Sequence, residues 1–289
     1  MTLVNPQFLV ETGWLAQHLD DPSVRVLECT VILHPDPDRG YRVESGRAAW
    51  EAGHIPGSGF ADLPQDLSDP DSALRFMMPP ADRFAAGMSR YGVGDGVRVV
   101  LYDRAQNMWA ARVWWMLRAF GFDDAAVLDG GWRKWTLDGR PISSAPDAPR
   151  SARFVARPRP GLFVGKEAVL GTLGDRAACV VNALTEEQHR GTGGVTYGRP
   201  GRIAGSANVP ARAIVDPKTH AYLPPDELRK RFAQAGVLDA GRVVTYCGGG
   251  IAASSDAFVL FLLGHDDVAV YDASLSEWAN DPSLPMETG

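Results

Sequence analysis

Three blocks recur in the same order in the two halves of this 289-residue chain, and that duplication constrains the fold more than any other feature. GHIPGS, from Gly53 to Ser58, returns as GRIAGS, from Gly201 to Ser206. VRVVLYD, ending at Asp103, returns as GRVVTYC, ending at Cys247, and GFDDAAVLDGGWRKW, from Gly121, returns as GHDDVAVYDASLSEW, from Gly264. The offset is roughly 145 positions each time, a domain-sized period that means a duplicated domain and not a solenoid. Two domains are expected, 1–140 and 162–289, with the Pro-, Ser- and Arg-rich stretch 141–161 as linker.

Each half carries short, continuous apolar runs bounded by turn residues. They are Val24–Leu27, Val97–Tyr102 and Ala125–Leu128, then Cys179–Ala183, Arg242–Tyr246 and Val268–Tyr271. Continuous β-branched runs are what strands buried on both faces of a parallel sheet require. Helix-like stretches lie between them, at Met108–Phe120, Pro225–Ala235 and Ala252–Leu263, so each half is expected to be an α/β unit, a parallel sheet flanked by helices.

Composition removes several classes of function. The net charge is −6 and the basic residues are scattered, so no nucleic acid is expected as a partner. No stretch approaches the ~20 apolar residues needed to cross a bilayer, and the N-terminus lacks the pattern of a secretory signal. A cytoplasmic protein without membrane contact is therefore expected. Three widely spaced cysteines, Cys29, Cys179 and Cys247, fit neither a disulfide framework nor a zinc site. Neither metal nor organic cofactor is expected.

The repeats differ chemically where Asp103 stands opposite Cys247. Ligands of open α/β sheets collect beyond the carboxyl ends of strands, which is where both residues fall. Cys247 is followed by Gly248, Gly249, Gly250, Ile251 and Ala252, entering a helix. Glycines let successive N–H groups converge on one point, and a helix N-terminus adds positive potential there. Such surroundings bring a thiol from ~8.5 to between ~3.5 and 7.5, making it nucleophilic at neutral pH. Cys29 and Cys179 lack the glycines, sit in the first expected strand of each half, and read as core residues.

These residues resemble the rhodanese superfamily, specifically its two-domain thiosulfate and 3-mercaptopyruvate sulfurtransferases. GHIPGS and GRIAGSANVP are similar to its first signature, LDGGWRKW and YDASLSEW to its C-terminal one, and CGGGIAAS stands where it has the active-site loop. The resemblance implies two tandem rhodanese-like domains, a silent first copy, and sulfane sulfur carried on Cys247 as a persulfide, from a small anionic donor to cyanide, a thiol or thioredoxin. It implies that Ser274 donates a hydrogen bond to Cys247 Sγ.

The uncharged loop resembles the mercaptopyruvate type more than the basic thiosulfate type. Gly249, however, stands at that type's serine, Phe76 at its histidine and Gln188 at an anion-binding arginine, while Asp62 matches its aspartate. Arg190, Arg199 and Arg202, clustered in one loop, are the expected contacts for the donor's anion. Two other readings remain at this point. One is a non-catalytic binding or sulfur-relay module. The other is a phosphatase, disfavoured because Ala253 stands where that class needs a phosphate-binding arginine.

Overall fold

The computed structural model describes residues 2–36, 40–146 and 152–289. In the first half the strands are β1 (Leu9–Val10), β2 (Val24–Glu28), β3 (Val31–Asp36), β4 (Gly40–Ser45), β5 (Gly59–Phe60), β6 (Arg98–Tyr102) and β7 (Ala125–Leu128). In the second they are β8 (Phe163–Val164), β9 (Ala178–Asn182), β10 (Arg202–Ile203), β11 (Ala207–Asn208), β12 (Arg242–Tyr246), β13 (Val268–Tyr271) and β14 (Met286–Glu287). The first sheet runs β1-β7-β6-β2-β5 and the second β8-β13-β12-β9-β11, every pairing parallel. The two orders are one topology used twice. Register agrees as well, with Tyr102 opposite Glu28 and Tyr246 opposite Asn182. β3 and β4 form an antiparallel hairpin found in the first half, and β10 pairs antiparallel with β14 in the second.

The repeated signatures have a physical explanation. In each half the strand preceding the special position ends in a buried tyrosine whose hydroxyl gathers the first block. Tyr102 Oη accepts from Ile55 N at 3.3 Å and meets Ser58 Oγ at 3.0 Å. Tyr246 Oη accepts from Ile203 N at 3.0 Å and meets Ser206 Oγ at 2.7 Å. A buried phenol needs such partners, because an unmade hydrogen bond there costs more than a made one yields.

The halves meet along the helices Met108–Ala119 and Ile251–Leu262, which contact each other within one continuous core. Trp114 packs on Phe258 and Phe261, with ring centroids 4.8 and 5.6 Å apart. Around this core lie two matching straps. Phe76 and His220 both adopt left-handed backbone, with φ of 64° and 62°, as the chain crosses toward the other half. Beyond the first, Met78 N donates to Asp272 Oδ2 at 2.8 Å; beyond the second, Tyr222 N donates to Asp129 Oδ1 at 2.8 Å. Arg112, fully buried, adds bonds from Nη2 to Asp272 Oδ1 and to the Phe76 carbonyl.

Part of the expected linker, 147–151, lies outside the described residues. The stretch after it packs closely, with Phe154 buried against Phe84 and the amides of Arg157 and Arg159 donating to Phe120 and Ala119. Cys29 stands one residue past β2, not within a strand as expected, while Cys179 is inside β9.

Candidate active site

Cys247 follows the last residue of β12 and precedes the helix Ile251–Leu262, at the carboxyl edge of its sheet. Its side chain is 3% exposed, yet it borders a cavity of about 1010 Å³ between the halves. The second half contributes Gly248, Gly249, Ile251, Ala252 and Tyr197 to the walls; the first contributes the β3–β4 hairpin, Arg75, Phe76 and Met108.

Only one of the three loop glycines needs glycine's backbone freedom. Gly250 has φ of 76°, and a Cβ on it would stand 2.7 Å from the Asp272 carbonyl and 2.9 Å from Arg112 Nη1. Gly248 is required for space, because Tyr197 lies against it. Nothing crowds Gly249, whose nearest neighbour would be Ser276 Oγ at 3.9 Å. Glycine's role in shaping this loop is thus narrowed to Gly250, for its backbone conformation, and Gly248, for space.

Ser274 is also corrected. Its Oγ donates to the Tyr271 carbonyl at 2.8 Å and accepts from Cys247 N at 3.0 Å and Gly250 N at 3.1 Å. The hydroxyl's proton is committed to that carbonyl, so Ser274 braces the loop's backbone and does not donate to Sγ. One amide expected to face sulfur, that of Gly250, is spent on it. Gly248, Gly249, Ile251 and Ala252 supply the remaining N–H groups of the loop and helix start, and the first helical amides have no acceptor within their own helix.

The first half shows what this loop is shaped to hold. Asp103, in the place of Cys247, is buried and accepts four backbone N–H groups of the loop that follows. Oδ1 accepts from Ala105 at 2.7 Å and Asn107 at 3.0 Å, and Oδ2 from Trp109 at 2.8 Å and Ala110 at 2.9 Å. Burial raises its pKa and the four amides pull the other way, with the net shift upward. Where the second half has Ser274, the first has Gly131, whose Cβ would collide with the Asp103 carbonyl at 2.4 Å.

The arginines picked from the sequence do not border this cavity. Arg190 is exposed and paired with Glu186. Arg199 spends its guanidinium on the carbonyls of Trp278, Ala279, Asp281 and Leu284. Arg202 is held by Glu287 and the Gly289 carbonyl. Asp62 caps the helix Leu63–Asp66 and accepts from Ser45 Oγ, away from the cavity walls. Among the described residues the cation on those walls is Arg75, whose Nη1 donates to the Tyr41 carbonyl at 2.6 Å. Sequence reasoning missed it because it sits in the other half, and no spacing links it to Cys247.

Burial raises the thiol pKa of Cys29, with Asp103 and Glu28 adding to it, and burial raises that of Cys179; both suit core residues. Among the described residues no cluster of His, Cys, Asp or Glu could hold a metal, and no helix is long and apolar enough to cross a membrane.

Two copies of one parallel α/β unit, with a strand-end thiol in the cleft between them, define a narrow class of protein. A family model for the rhodanese-like domain matches residues 11–138 and 181–281. The chain is 33% identical to the 3-mercaptopyruvate sulfurtransferase of Homo sapiens, over 96% of its own length and 94% of that protein's. It is 32% identical to the thiosulfate sulfurtransferase of Cricetulus griseus, over 97% and 94%. The crystal structure of SseA from Escherichia coli, a 3-mercaptopyruvate sulfotransferase, superimposes with a TM-score of 0.82 at 29% identity, covering 93% of this chain and 99% of that one. The chain belongs to the rhodanese-like family.

Proposed function

We propose that this protein is a sulfurtransferase in which Cys247 takes sulfane sulfur from 3-mercaptopyruvate or thiosulfate and passes it to a thiophilic acceptor such as cyanide or a thiol, a thioredoxin included. The Cys247 thiolate attacks the thiol sulfur of mercaptopyruvate or the outer sulfur of thiosulfate. Pyruvate or sulfite leaves, and a persulfide remains on Sγ. The acceptor then attacks the outer sulfur and restores the thiolate.

The observation that carries this reading is the equivalence of Asp103 and Cys247. One loop design holds a group with four converging amides in one half and presents a thiol to a cavity in the other. A persulfide's terminal sulfur carries charge that such N–H groups stabilise. The first half, with its carboxylate already occupying the loop, is catalytically silent and supplies the facing wall, including Arg75 for the donor's anionic group.

Mass spectrometry of the intact chain after incubation with each donor tests this. One sulfur should appear on Cys247, disappear with cyanide as thiocyanate forms, and be absent from Cys247→Ser. Thiocyanate formation retained by that variant would refute the assignment.

A further inference from the structure

Tyr197 occupies the space beside the nucleophile. A Cβ on Gly248 would stand 2.0 Å from its Cζ and 2.4 Å from its Oη, so the hydroxyl edge of the ring rests on the residue that follows Cys247. The ring forms part of the wall of the same cavity, and Asn280 Nδ2 fastens its backbone by donating to the Tyr197 carbonyl at 2.7 Å. A second phenol, Tyr41 on β4 of the other half, borders the same cavity. Burial, followed by the nearby Cys247, pushes the Tyr197 phenol above its ordinary range, so it keeps its proton at neutral pH. Both phenols bring a proton to the cavity that their rings border.

We propose that the Tyr197 phenol donates a hydrogen bond to the oxygen that becomes anionic when a 2-oxo-3-thiol acid gives up its sulfur, and so is a determinant of donor choice. The inference rests on the sulfurtransferase reading. Sγ forms a bond to the donor sulfur while the C–S bond breaks, and that bond's electron pair passes to the C2 carbonyl oxygen as an enolate. The enolate carbon then takes the proton the donor thiol carried, leaving pyruvate and a persulfide anion. Sulfur is oxidised from the thiol to the sulfane level as carbon is reduced to a methyl group, so no further oxidant or reductant is needed.

A neutral donor placed where charge develops favours the transition state over the ground state. Thiosulfate gains little from it, since its leaving sulfite oxygens already carry charge before the bond breaks. The Tyr197 ring also fills the place where a basic side chain at position 248 would have to stand. Geometry beside the thiol therefore favours an enolate leaving group over an oxyanion that needs cations.

Tyr197→Phe keeps the ring against Gly248 and removes the hydroxyl. Single-turnover sulfur uptake from 3-mercaptopyruvate by this variant should fall by about 100-fold, the usual effect of losing one such donor. Its half-saturating concentration, and the rate at which iodoacetamide alkylates Cys247, should stay within roughly threefold of wild type. Tyr41→Phe should show a smaller fall, since Tyr197 can still donate. Uptake by Tyr197→Phe within that threefold range overturns the inference, and so does a parallel loss of uptake and alkylation, which would mean a disturbed thiol. Should the wild type fail to take sulfur from 3-mercaptopyruvate, the parent reading falls for that donor and this one with it.

Discussion

Ser274 Oγ binds the amide of Cys247 and the amide of Gly250 together, tying the first and fourth residues of the active-site loop to one buried oxygen. It does so from left-handed backbone, φ 52°, a conformation that costs a non-glycine residue free energy. Gly131 takes the corresponding place in the first half, where the Asp103 carboxyl collects loop amides instead. The two halves thus brace one loop by alternative means, and only the serine version leaves the special position free for a thiol.

Ser274→Ala should leave two buried N–H groups without their acceptor. Such losses cost about 1–3 kcal/mol, so a lower urea midpoint with an unchanged slope is expected, together with slower sulfur uptake. An unaltered midpoint would mean that the loop finds another acceptor.

Position 248 and position 249 should respond oppositely to one methyl group. Gly248→Ala drives a Cβ into the Tyr197 ring, and overpacking of this kind costs about 1–3 kcal/mol and displaces the phenol. Gly249→Ala meets only an ordinary contact with Ser276 Oγ and should stay within about 0.5 kcal/mol of the parent with sulfur uptake retained. Thermal unfolding and uptake rates for the two variants decide the matter.

Arg75→Ala should raise the concentration of 3-mercaptopyruvate needed for half-maximal uptake by roughly tenfold, the loss of one charge-assisted contact, while alkylation of Cys247 by neutral iodoacetamide is unchanged. Arg190→Ala, by contrast, removes an exposed pair with Glu186 and should alter neither.

Asp129 supplies a pH dependence at the junction of the halves. Burial outweighs the Tyr222 amide and Lys134 and lifts its carboxyl to about 6. The unfolded chain titrates this group near ~3.9, so between those values the native state holds the extra proton. The stabilisation is complete below about pH 4 and is lost as pH rises through about 6. Asp129→Asn should flatten that part of the curve, as read from urea midpoints across the range. Equal slopes for the two proteins would show that Asp129 is not the group responsible.

Much of the fold was legible before any coordinates. Runs such as Ala125–Leu128 and Val268–Tyr271 are strands because a parallel sheet buried on both faces favours continuous apolar side chains, and the repeats supply their order. Cys247 stood out because its counterpart is Asp103, a chemical difference at a position the duplication marks.

What surrounds the sulfur was not legible. Arg75, Tyr41 and Tyr197 reach the cavity from three separate segments, two of them in the other half, and Arg199, conspicuous as a loop cation, turns inward to four carbonyls. The resemblance implied Ser274 as a donor to sulfur, but it carries no hydrogen-bond direction, and the hydroxyl's single proton goes to the Tyr271 carbonyl that the fold brings beside it. Local chemistry along the chain therefore determined the duplicated parallel sheets and the residue at the strand end. Which side chains share the cleft, and which way their hydrogen bonds run, depended on how the two copies pack face to face, because that packing joins residues no periodicity relates.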